Sequence, residues 1–79
     1  MSNDDKLRQV FIDALALEPG IDVENLSYRS TEGWDSVAHM LLVGEIENAF
    51  DILLETQNVI DMSSYSLARE IVDKYGVQI

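Results

Sequence analysis

A carboxylate followed by a hydroxyl, Asp35-Ser36, opens the most strongly patterned stretch of this chain, and a histidine follows at His39. A serine at a helix start has two chemical uses: a nucleophile, or the anchor of a phosphate ester. The nucleophile needs a base, and His39 lies three residues on. No acid is spaced to orient its imidazole, however, and no Gly-x-Ser-x-Gly pattern surrounds Ser36. The helical wheel also turns His39 toward the core, where a hydrogen-bonded packing role under the preceding loop is expected. The chain is therefore not expected to be an enzyme. For the second use, the orphan backbone N–H groups and the positive end of the dipole stabilise an anion by roughly 0.3–1 kcal/mol. Position alone also fits an ordinary capping serine, and Asp35 fits a cap equally. Glu47 and Asp51, one turn apart, fall far short of a calcium shell and fit a solvated face, so no metal site is expected.

The elements that must position these residues read as helices. A first helix is predicted from about Asn3 to Leu17, with Leu7, Val10, Phe11, Ala14 and Leu15 as one apolar stripe. Ser2 or Asn3 caps it, Asp4 and Asp5 favour its first turn, and Pro19-Gly20 ends it. Residues 18–35 have no periodicity, so they form a long connection pinned by Ile21, Val23, Leu26 and Tyr28, with Trp34 folding it against the next helix. The second helix, about Ser36 to Asp51, is apolar on two faces. Leu42, Val43, Ile46, Ala49 and Phe50 form the core face. Val37, Met40, Leu41 and Gly44 form an opposite stripe that needs a partner surface or a covering loop. Gly44 costs about 1 kcal/mol relative to alanine in mid-helix, which close approach by a partner or plain tolerance would explain. A short helix from about Glu55 to Ile60 follows. The last is capped by Ser63 or Ser64, carries Leu67, Ala68, Ile71, Val72 and Tyr75 on one face, and stops at Gly76. The expected fold is all-α: one domain over residues 1–79, a small four-helix bundle with three main helices, one short helix and a long loop between the first two.

Bulk composition narrows the function. A chain of 79 residues buries only about 60% of its unfolded surface and is marginally stable. At 47% hydrophobic residues it is nonetheless too apolar to be disordered. Fifteen acidic residues against five basic ones, net −10, oppose nucleic-acid binding and favour basic patches on other proteins. Scattered acids such as Asp4, Asp5, Glu18, Asp22 and Glu32 also serve solubility. Without cysteine, any thiol chemistry must come from an attached group. No apolar run reaches about 18 residues and no basic leader precedes one, so no membrane span and a cytoplasmic location are expected.

Gly33-Trp34-Asp35-Ser36-Val37 resembles the attachment site of acyl carrier proteins, whose signature is Asp-Ser-Leu at the start of the second helix. Length, acidity, helix order and the spacing from Asp35 to Phe50 extend the resemblance over nearly the whole chain. The resemblance implies that Ser36 carries 4'-phosphopantetheine, transferred from coenzyme A, and that Asp35 helps hold magnesium during transfer. It implies acyl cargo held as thioesters, with a phosphopantetheinyl transferase and acyl-loading and acyl-transfer enzymes as partners and the carrier a monomer. Trp34, Val37, Met40, Leu41, Gly44, Glu45 and Glu47 are the expected partner-contact residues. Fatty-acid-type carriers place more acids along the second helix than this chain, which has Ala38, Leu41 and Asn48 there. Val37 replaces the usual leucine, and the Gly-Gly style of peptidyl carriers is absent. A specialised biosynthetic pathway is therefore expected. Trp-Asp-Ser is also similar to D-alanyl carriers, which leaves an aminoacyl cargo open, as does an acidic interaction module whose Ser36 is never modified.

Overall fold

The computed structural model describes residues 2–18, 20–31 and 33–79; Pro19 and Glu32, read above as a helix stop and a solvating acid, lie outside them. Among the described residues four helices follow one another: α1 (Asn3–Ala14), α2 (Ser36–Phe50), α3 (Thr56–Asp61) and α4 (Tyr65–Lys74), with a 3-10 turn at Val23–Asn25 inside the long connection. Among the described residues there is no strand, only an isolated antiparallel bridge between Ser27 and Ser64. Among the described residues no helix is long and apolar enough to cross a membrane.

Local chemistry accounts for most helix ends. Ser2 caps α1 through the Asp5 amide, and Ser64 caps α4 through the Leu67 amide. The first helix stops earlier than the expected Leu17. Ala16 takes a left-handed conformation (φ 54°), the Leu17 amide reaches back to the Ile12 carbonyl, and the Ala16 amide reaches the Asp13 carbonyl. This paired closure satisfies the last carbonyls before Pro19 is reached, with alanine where glycine is usual. Asp51 (φ 55°) ends α2 similarly, with the Ile52 amide bonded to the Glu47 carbonyl. Helix α3 is shifted one residue from its expected span and buries nothing fully; Glu55 makes no side-chain cap.

The core joins Leu7 and Phe11 of α1, Leu42 and Ile46 of α2, and Ala68 and Val72 of α4 to Val23, Leu26 and Trp34 of the connection. Each large side chain fully buried there contributes roughly 1.5–3 kcal/mol. Ile21, expected as a pin, is exposed, as is Leu67 on α4. Tyr65 and Met62, by contrast, are both fully buried. Phe11 meets Trp34 and Tyr65 edge-on, at ring separations of 5.5 and 5.1 Å.

Tyr65 keeps its hydroxyl satisfied by donating to Asp4 Oδ1 at 2.6 Å. The opposite carboxylate oxygen accepts from Arg8 Nε at 3.1 Å, and Arg69 Nε stands 3.4 Å from Oδ1. The tyrosine bond, with the arginines, holds Asp4 below the usual carboxylate range, while burial and the aspartate push the Tyr65 phenol up. A lowered native pKa means stabilisation that is present above the unfolded value of about 3.9 and lost as pH falls through the native one. Asp4→Asn should therefore cost about 1 kcal/mol at neutral pH, and its gap from wild type should be smaller at about pH 3, below the unfolded value. Urea midpoints at the two pH values check this; a gap that stays constant or widens in acid contradicts it.

Candidate functional site

The connection before α2 is folded inward by its aromatic residue. Trp34 is 1% exposed, and its indole Nε1 donates to His39 Nδ1 at 3.0 Å. With Nδ1 accepting, the proton sits on Nε2, which donates to the Val59 carbonyl at 2.8 Å. Both ring nitrogens are thus committed to packing, as the wheel position of His39 predicts, and neither faces Ser36. The expected partner contact at Trp34 is corrected: burial among Phe11, Tyr28 and His39 removes it from any partner's reach.

Asp35 is the helix cap, its Oδ1 accepting from the Ala38 amide at 2.9 Å. Ser36 therefore occupies the first helical position, exposed, with its hydroxyl not used as the cap. That hydroxyl meets two side chains from the connection. Tyr28 Oη lies 3.1 Å from Ser36 Oγ, and Arg29 Nη2 donates to it at 3.3 Å. The tyrosine ring rests against Trp34 and His39, and the guanidinium sits 5.6 Å over the tyrosine ring. Arg29 itself is left-handed (φ 68°), its amide tied to the Trp34 carbonyl at 3.0 Å. Hydrogen bonding with Ser36 and with Arg29 holds the Tyr28 phenol below its ordinary value, and the phenol in turn raises Arg29. The serine faces a hydroxyl-binding cation rather than a base, which suits an ester anchor better than a nucleophile of this chain's own. An anionic ester there fits the residues present. Asp35 is exposed and, among the described residues, engages only one carboxylate oxygen.

The second apolar face of α2 is open. Val37, Met40 and Leu41 are 72, 61 and 59% exposed, so residues 18–35 do not cover them. With Ser36 they line one shallow apolar hollow. Gly44 is not part of it; it lines a separate hollow with Glu47, Asn48 and Asp51, and a Cβ there would touch nothing within 4 Å. Glu45 is exposed. Glu47, expected as a partner contact, has one carboxylate oxygen occupied by the Leu54 amide at 2.8 Å, closing the turn after α2. Among the described residues no three histidine, aspartate or glutamate side chains converge as a metal site.

The approach of Tyr28 and Arg29 to Ser36 was not part of the sequence expectation. The available signal was charge: Arg29 is one of five cations, and it lies shortly before Ser36 in an aperiodic run whose other charged residues are acids. No protein-family model, curated protein or solved structure matches this chain.

Proposed function

We propose that the chain is an acyl carrier protein, which holds acyl intermediates as thioesters on a 4'-phosphopantetheine arm at Ser36 and performs no catalysis itself. One observation carries the reading: Asp35 takes over the helix cap, so the Ser36 hydroxyl stands exposed at the start of α2 between a guanidinium and an apolar hollow. In the loading step Ser36 Oγ attacks the β-phosphorus of coenzyme A. The bond to 3',5'-ADP breaks, that nucleotide leaves, and the serine proton passes to the transferase. Asp35 would help hold the magnesium that the transferase uses to polarise the phosphate. The arm supplies a thiol, which a chain without cysteine cannot provide. The arm's advantage is effective concentration at each enzyme it visits. On this reading the four helices form the carrier's bundle, and the carrier is monomeric, cytoplasmic and serves a specialised pathway.

Intact mass after incubation with coenzyme A, magnesium and a phosphopantetheinyl transferase tests the proposal. The expected result is a gain of one phosphopantetheinyl group. An unchanged mass with several transferases favours an unmodified acidic interaction module instead.

The partners of such a carrier dock on Val37, Met40 and Leu41, beside Glu45. These side chains flank the serine, and water covers them at a cost that a partner would relieve. Met40→Asp or Leu41→Asp should leave the thermal midpoint within a few degrees, because neither residue packs in the core. Each should lower kcat/KM for cognate loading by roughly tenfold or more, the scale of one buried apolar side chain at an interface. A variant that unfolds, or one that loads normally, contradicts the assignment.

A further inference from the structure

We propose that Arg29 and Tyr28 are the anion clamp for the phosphate at Ser36, locking the long connection to α2 once the serine is esterified. The inference rests on the reading that Ser36 carries the arm. Both side chains already point at the oxygen that becomes the ester link, at 3.3 and 3.1 Å. Esterification removes the serine's proton and weakens Oγ as an acceptor. It also adds anionic phosphate oxygens two bonds beyond, within reach of the same donors. A planar guanidinium matches such a group, and charge-assisted bonds to it are stronger than the neutral contacts they replace.

The charge pattern agrees. Arg8 is bonded to Asp4 and Glu24, and Arg69 pairs with Asp4. Among the described residues Arg29 is the arginine held by a phenol and a hydroxyl rather than by a carboxylate, in a chain with three times as many acids as bases. Tyr28 is fixed in turn, by its ring against His39 and by its backbone amide on the Ser63 carbonyl at 2.9 Å. The two donors are thus anchored to the core and to the start of α4, so a phosphate gripped by them ties three parts of the chain together.

The test compares apo and holo forms of the wild type, Arg29→Gln, Tyr28→Phe and, as a charge control, Lys74→Gln, with loading verified by intact mass. Attachment should raise the folded-to-unfolded ratio of the wild type roughly threefold in urea titrations, the scale of an exposed, screened charge pair. The gain should shrink in high salt. It should vanish in Arg29→Gln, fall in Tyr28→Phe and persist in Lys74→Gln. In the wild type alone, attachment should move the Arg29 side-chain Nε–H resonance in nitrogen-edited NMR, a readout that needs no substitution. If every variant loads, yet the gain is the same in wild type and Arg29→Gln or the Arg29 resonance does not move, the clamp is overturned and the arm site stands. If nothing loads, the carrier reading falls and the clamp falls with it.

Discussion

Ser36→Ala should gain no phosphopantetheine at any transferase concentration, while keeping the helical spectrum and thermal midpoint of the wild type. The loss is complete because no other atom of the site is a nucleophile in the right place. Both nitrogens of His39 are tied to Trp34 and Val59, and Tyr28 Oη belongs to the connection, not to the start of α2. The fold survives because the Asp35 carboxylate, not the serine, closes the start of α2, and alanine is well tolerated within a helix. Only the contacts to Tyr28 and Arg29, both at the surface, are lost. Intact mass and circular dichroism on the same sample decide it. Labelling that persists in Ser36→Ala removes the site assignment, whatever the fate of the carrier reading.

Trp34→Ala should cost about 3–5 kcal/mol, the usual penalty for emptying a large aromatic site. A domain of this size has about 4–12 kcal/mol of stability in all, so a large share of the molecules should be unfolded at 37 °C. Three losses coincide at this position. Phe11 and Tyr28 lose an edge-packed neighbour, His39 Nδ1 is left buried without its donor, and the connection loses its largest buried side chain before α2. The variant that keeps most of the volume separates these effects. Trp34→Phe should cost about 1–3 kcal/mol, chiefly from the orphaned imidazole nitrogen. Urea unfolding followed by far-ultraviolet circular dichroism gives both values. A loss under about 1 kcal/mol for Trp34→Ala contradicts the central place given to this residue.

Much of the scaffold is legible in short-range pattern. The stripe from Leu7 to Leu15 marks α1, Ser64 and Gly76 bracket α4, and the His39 wheel position foretells its packing role. Other features escape such reading for identifiable reasons. Proline at position 19 suggests where α1 stops, but Ala16 adopts a left-handed turn first, because the Leu17 amide finds the Ile12 carbonyl. Tyr65 looks like a surface residue because of its hydroxyl; it is fully buried since Asp4, at the other end of the chain, accepts its hydrogen bond. Glu47 looks like a free surface acid until the Leu54 amide is placed on it.

The sequence by itself determined the helical class, the order of the elements, the acidic surface and the Asp35-Ser36 pair at the head of α2, because each depends on neighbours within a turn or two. Only the tertiary structure decided that the second apolar face of α2 is left uncovered, that Trp34 is buried rather than offered to a partner, and that Tyr28 and Arg29 meet the serine. Those outcomes depend on the path of residues 18–35, which carry no period. A path without hydrogen-bonded repeats is set by what its few large side chains find to bury against, and their partners lie on α1, α2 and α4, far away in the chain.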